Sequence, residues 1–289
     1  MIKLLALDLD GTLLNSRGEI TQANREAIIA AEQAGVLVTI ATGRRFRDAL
    51  PVGLELRLNA PLVTHNGALL KFAGTLETVA ASLLDLSTTR EIVRAGKQFG
   101  GDALVSADPS GKGSLLYDRV SDDNIPLQRY LAWATRLHGD GADDAVVHVE
   151  DLDSALPDHK VIHISFSGAC KPMDRMLGFL EAELSDSVTI LPTIYPKLDF
   201  TLIDILPPGA TKGTGLEKLA QINGLKAENV MVVGDNFNDL GMLEYAGTPV
   251  IMGNADPSLL ERPEFYKTVS NDESGVAAAV DRFILRETR

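Results

Sequence analysis

Two carboxylates two residues apart, Asp8 and Asp10, follow a short apolar run and precede Gly11. Side chains alternate along a strand, so this spacing puts both acids on one side of the chain. A glycine then lets the backbone turn sharply. Alone, an Asp-x-Asp either caps the next turn or stays solvated. A second acidic group, Gly234-Asp235-Asn236-Phe237-Asn238-Asp239, also follows an apolar run, Val230 to Val233. If the two strands are neighbours, Asp8, Asp10 and Asp235 converge. Three such carboxylates repel one another, and a hard, oxygen-loving cation such as Mg²⁺ resolves that repulsion. An Asx-rich helix cap at Asn238 accounts for part of the second group and does not exclude the metal.

Other residues supply what a phosphate would need. Thr42 offers a hydroxyl, and the backbone at Gly43 can come close to an anion. Lys212 sits in the glycine-rich turn Gly209-Ala210-Thr211-Lys212-Gly213 of a very acidic chain, which favours a fixed role for its charge. That turn fits neither the P-loop nor the Gly-x-Gly-x-x-Gly spacing. A Gly-x-Ser-x-Gly elbow is absent. His159 and His163 are four apart, but the residue after His159 is Lys160 and the segment reads as strand, so the helical zinc motif is missing. His163 reads as a paired sheet residue, and Phe99 and Trp133 as core.

These residues need elements to position them. Ile2 to Leu7, Val36 to Ala41 and Leu62 to Thr64 are apolar runs separated by a helical stretch, Thr21 to Ala34, capped by Thr21 and stopped at Gly35. Continuous apolar runs with short links read as βαβ units of a parallel sheet covered on both faces. The pattern returns at Val230 to Val233 and Thr248 to Met252. It closes with a helix, Ser274 to Leu285, that turns Val276, Ala277, Val280 and Ile284 inward. Between the halves, strands alternate apolar and polar, as in Val161 to Phe166, which suggests an antiparallel sheet with one covered face. The helices there are Thr88 to Phe99, Leu127 to Leu137 and Met173 to Leu184, and Gly139 to Asp144 reads as an exposed loop. The fold class is therefore α/β: a Rossmann-like parallel-sheet core domain with an inserted α+β domain.

The 289 residues allow roughly two domains. One cysteine, Cys170, excludes an internal disulfide. With 27 Lys and Arg against 40 Asp and Glu, the net charge is −13, a surface that repels nucleic acid and anionic lipid. No apolar run reaches the ~18 residues of a membrane helix. We expect a cytoplasmic protein with no nucleic-acid or membrane partner, and oligomeric state is not legible.

The chain resembles the haloacid dehalogenase-like superfamily, in its Cof-type, sugar-phosphatase-like branch. Asp8-Leu9-Asp10-Gly11-Thr12-Leu13 is similar to the first family motif, Thr42-Gly43-Arg44 to the second, Lys212-Gly213 to the third and Gly234 to Asp239 to the fourth. The branch adds phrases seen here as His65-Asn66-Gly67-Ala68, Met252-Gly253-Asn254-Ala255 and Asn271 to Val276. The resemblance implies a core domain over 1–83 and 195–289, and a cap over 84–194 that sets substrate specificity, with hinges at Ala80 to Leu84 and Pro192 to Lys197. It implies an Mg²⁺-dependent phosphatase acting on a small phosphorylated metabolite, sugar phosphates first, with Asp8 as nucleophile forming an aspartyl-phosphate. Asp10 would be acid and then base. Mg²⁺ would bind Asp8, the main-chain carbonyl of Asp10, and Asp235. Thr42, Gly43 and Lys212 would hold the phosphoryl group and Asn238 would help to position it. Asp239 would orient Lys212 or metal-bound water, and Arg44 and Asn66 would face the substrate. Arg119, His159 and Lys160 are candidate cap contacts. A carboxylate at position 10 argues against the pump-like and dehalogenase branches. A phosphomutase shares every motif, and a phosphate-accepting signalling module shares the Asp, Thr and Lys types.

Overall fold

The protein is described by a computed structural model of residues 1–286, the side chain of Asp140 excepted. It forms two compact units. The first is Met1–Arg44, Ala49–Val79 and the described residues from Thr211 onward; the second is Ala80–Ala210 together with Arg45–Asp48.

The first unit is built on a five-stranded parallel sheet. From one edge its strands are Tyr266–Lys267, Thr248–Ile251, Val230–Gly234, Leu4–Leu7 and Leu37–Ile40. Leu4–Leu7 is buried along its whole length and pairs with Val230–Val233 on one side and Leu37–Ile40 on the other. The chain order reverses at this central strand, and open α/β sheets bind ligands at the carboxyl ends of strands beside such a switch point. Asp8 and Asp235 are the residues that follow the two strands there. A bridge from Ala41 to Val63 joins Leu62–Thr64, which forms a hairpin with Leu69–Lys71. The helix Gln22–Gln33 begins at Thr21, whose hydroxyl accepts the Asn24 N–H at 3.2 Å. The last helix is Gly275–Val280, continued as a π-helical turn over Asp281–Leu285; it buries Val276, Ala279, Val280 and Ile284, while Ala277 is only half-buried. The helix Phe46–Leu56 was not expected from the sequence; it holds Pro51, a residue that usually interrupts a helix.

The second unit is a six-stranded sheet, in order Thr189–Tyr195, Phe200–Leu206, Val161–Gly168, Asp102–Ala107, Ser114–Tyr117 and Val146–His148. Four features depart from expectation. Phe200–Leu206 and Thr189–Tyr195 form an antiparallel hairpin of this sheet, so the second unit runs to Ala210, and Pro192 to Lys197 is hairpin, not hinge. The edge pair Ser114–Tyr117 and Val146–His148 is parallel. Neither face is left open along Val161–Phe166. Helices Leu86–Gln98 and Cys170–Leu184 pack on Val105, Ile164, Phe166 and Ile203, and helix Ile125–His138 brings Leu127 against Leu104 and Leu115 on the other face. Position 96 admits only glycine without repacking, since a Cβ there would lie 2.1 Å from the Phe166 ring. Gly139 to Ala145 is helical turn, not loop: Arg47 donates to the carbonyls of Gly113 and Gly141, and Ala145 is buried.

Candidate active site

The central strand delivers Asp8 into the interior, where it is 4% exposed. The next turn requires Gly11 twice over. Its φ is +86°, and a Cβ there would lie 2.4 Å from Asp235 Oδ2. Thr12, fully buried, donates its hydroxyl to Asp235 Oδ1 at 2.8 Å. The turn is strutted from afar. Asn254 Nδ2 donates to the Gly11 carbonyl and its Oδ1 accepts the Asn271 N–H, while Asn271 Nδ2 donates to the Leu14 carbonyl, each at 2.8 Å. Thr12, Asn254 and Asn271 carried no role in the sequence analysis; the motif-like phrases around them were the signal.

Lys212 opens the helix Lys212–Ile222, and Thr211 caps it by accepting the Thr214 N–H. The Lys212 ammonium is 1% exposed and donates to Asp8 Oδ1 and Asp239 Oδ1, both at 2.6 Å. Asp239 ends the 3₁₀ turn Phe237–Asp239, and its other oxygen accepts the N–H groups of Asp235 and Asn236 at 2.9 and 3.1 Å. One oxygen from each of Asp8, Asp235 and Asp239 lies within 4.8 Å of the others. The converging trio is thus Asp8, Asp235 and Asp239. The Asp10 carboxylate is not part of it; its side chain is 57% exposed and paired with Arg44.

The charges follow from this crowding. Burial, and next the negative charge of Asp239, push the Asp8 carboxyl well above the usual range, against the pull of Lys212. Burial also raises Asp235, partly offset by the Thr12 hydroxyl. Burial disfavours the Lys212 ammonium, but Asp239 and Asp8 outweigh it and hold the lysine above its ordinary value. Lys212 thus faces the carboxylates of Asp8 and Asp239 at once.

Thr42, Gly43, Arg44 and Asn66 lie together. Thr42 is buried, and its hydroxyl accepts the Arg44 N–H at 3.1 Å. His65, Asn66 and Gly67 form a left-handed turn with φ of 51°, 48° and 91°. It sets the buried Asn66 side chain over Gly43, where a Cβ would sit 3.1 Å from Asn66 Oδ1. That oxygen has no hydrogen-bond partner. Asn238 is exposed on its turn. Of the candidates in the second unit, Arg119 pairs with Asp102 and His159 with Asp108, while Lys160 is exposed. His163 pairs with Asp204 across neighbouring strands at 2.9 Å.

A sequence model of haloacid dehalogenase-like hydrolases matches residues 5–280. The chain belongs to this family. The haloacid dehalogenase-like hydrolase is 32% identical to 5-amino-6-(5-phospho-D-ribitylamino)uracil phosphatase YwtE of Bacillus subtilis, over 98% of each chain. It is 30% identical to pyridoxal phosphate phosphatase YbhA of Escherichia coli, over 90% of this chain and 91% of that one. A haloacid dehalogenase-like hydrolase from Bacteroides thetaiotaomicron superposes with a TM-score of 0.80 at 25% identity, over 98% of this chain and all of that one. This family member is an enzyme, a phosphoric monoester hydrolase. Among its described residues no helix is long and apolar enough to cross a membrane.

Proposed function

We propose that the protein hydrolyses a small phosphorylated metabolite, sugar phosphates first, through an aspartyl-phosphate on Asp8. The observation that carries this reading is the buried bridge of Lys212 between Asp8 and Asp239, each at 2.6 Å, beside Asp235 at the switch point of the sheet. Such a bridge fixes one Asp8 oxygen and leaves the carboxylate oriented for in-line attack. The relatives act on a phosphoribitylamino-uracil and on pyridoxal phosphate by their names, both small phosphorylated molecules.

A divalent cation fits the residues present. Hard oxygen donors cluster at Asp8 and Asp235 in a pocket where burial, first of all, disfavours their charged forms. Asp8, Asp235 and the Asp10 carbonyl would hold Mg²⁺, which when bound would offset the carboxylate charge and polarise the phosphoryl oxygens. Both Asp239 oxygens are engaged by Lys212 and backbone N–H groups, so Asp239 serves as the lysine's anchor.

In the first half-reaction Asp8 attacks phosphorus and Asp10 gives its proton to the leaving oxygen. In the second, Asp10 takes a proton from water, which displaces Asp8 and releases inorganic phosphate. Lys212, Thr42 and the Gly43 backbone stabilise the phosphoryl oxygens, with Asn238 and Asn66 at its edge. The test is phosphate release from a panel of phosphorylated metabolites, with Mg²⁺ or EDTA, by wild type and Asp8→Asn. Release that needs Mg²⁺ and vanishes in Asp8→Asn is expected. No release from any substrate, or unchanged release from Asp8→Asn, refutes the reading.

A further inference from the structure

We propose that Arg44 is a positioning residue for Asp10, acting on the reaction through that carboxylate and not by binding substrate. The proposal rests on the phosphatase reading above. Arg44 Nε donates to Asp10 Oδ2 at 2.8 Å and its Nη2 to Oδ1 at 2.5 Å. A guanidinium fork on both oxygens fixes the plane of a carboxylate as well as its position. Asp10 needs such a partner. With its side chain 57% exposed, no packing selects its rotamer. An exposed ion pair adds little to stability, so its main effect is orientation.

Arg44 is itself held from behind. Its N–H donates to the Thr42 hydroxyl at 3.1 Å, and its carbonyl accepts the His65 N–H at 3.0 Å. His65 and Asn66 occupy left-handed backbone, uncommon for residues other than glycine, and Asn66 N–H binds the Thr42 carbonyl at 3.1 Å. The strained turn thereby clamps both ends of Thr42-Gly43-Arg44. A rigid backbone aims a fork at the carboxylate that has to meet first the leaving oxygen and then water.

The experiment uses phenyl phosphate and p-nitrophenyl phosphate, alike in shape but unlike in their need for protonation of the leaving group. Wild type, Arg44→Gln, Arg44→Lys, Asp10→Asn and Arg44→Gln/Asp10→Asn are compared for kcat and KM, with thermal midpoints confirming folding. Misplacing a proton-transfer group costs on the order of 10²-fold. Arg44→Gln is expected to lower kcat on phenyl phosphate by about that factor, with less loss on p-nitrophenyl phosphate and KM within ~3-fold. Arg44→Lys, with one point charge, recovers part of the loss. In the Asp10→Asn background Arg44→Gln adds less than ~3-fold, because coupled groups are non-additive. A raised KM at unchanged kcat, equal losses on the two esters, or fully multiplicative losses in the double variant overturn the proposal. Wild type that releases no phosphate from these esters or from any metabolite of the panel refutes the phosphatase reading and this role together.

Discussion

Gly67 and Thr211 touch through backbone alone: a Cβ on Gly67 would lie 2.0 Å from the Thr211 carbonyl oxygen. Thr211 caps the helix that begins with Lys212, and Gly67 ends the left-handed turn that carries Asn66. One contact thus sets the distance between the turn and the lysine. Gly67→Ala must open it, and with φ at +91° the alanine is strained as well. A loss of roughly 2 kcal/mol or more is expected from strain and clash. Phosphate release should fall with it. Gly74→Ala, with nothing within 4 Å of its Cβ, should leave the thermal midpoint nearly unchanged.

Lys212 donates to Asp8 from within the buried pocket. Lys212→Met removes that donor while keeping the bulk, and leaves Asp8 and Asp239 facing each other in a buried pocket. Breaking a buried pair from one side costs ~3–5 kcal/mol. Denaturant titration should show that loss in the first unit, together with abolished turnover. A variant of wild-type stability would contradict the bridge.

A divalent cation should stabilise the protein before any chemistry occurs. A ligand that binds only the folded state at ~100 times its dissociation constant adds ~2.7 kcal/mol. The thermal midpoint should therefore rise on adding Mg²⁺ and fall back with EDTA. Asp235→Asn should abolish the shift. Thr12→Val, which removes the hydroxyl at 2.8 Å from Asp235, should weaken it. Calorimetry without substrate reads all three.

The second unit should carry an acid-sensitive lock at Asp48. Its buried carboxylate accepts two bonds from Arg45 at 2.7 and 2.9 Å, one from Tyr130 at 3.0 Å, and pairs with His138 at 2.9 Å. Burial works against the charge, but His138 and Arg45 outweigh it and lower the pKa from 3.8 to about 2. A depressed carboxyl contributes stability above its unfolded pKa and loses it as pH falls through the folded one. The window is therefore pH ~4 down to ~2, and the contribution near neutrality is about 2 kcal/mol. Asp48→Asn should remove that contribution and flatten acid unfolding in this window, followed by circular dichroism. An unchanged acid limb would show that Asp48 does not carry it.

Much of the fold was legible because buried parallel strands are written as continuous apolar runs. Leu4–Leu7, Leu62–Thr64 and Val230–Gly234 lie within a residue or two of the runs that announced them. The strand Phe200–Leu206 was misassigned because a strand carries no sign of which sheet it joins; only its pairing with Thr189–Tyr195 and Val161–Gly168 decides that. At the site, the acids, Thr42 and Lys212 stood out by type and spacing. Which acids converge did not, since that depends on how Asp239 folds back onto two N–H groups of its own turn. The roles of Asn254 and Asn271 depend on a loop more than two hundred residues away in sequence, beyond the reach of any local pattern.

The central strand has a consequence for synthesis. Leu4 pairs with Val230, so the strand at the heart of the sheet waits for a partner made long after it. At ~5–20 residues per second that wait is roughly 10 to 45 seconds. In the interval Ala80–Ala210 is completed and can condense around its own core, while Leu4–Leu7 is exposed and apolar on one edge. The nascent chain thus passes through a stage in which its finished part is the insertion and its unfinished part is the catalytic sheet. At that stage a chaperone that shields an apolar edge would have its greatest effect on yield.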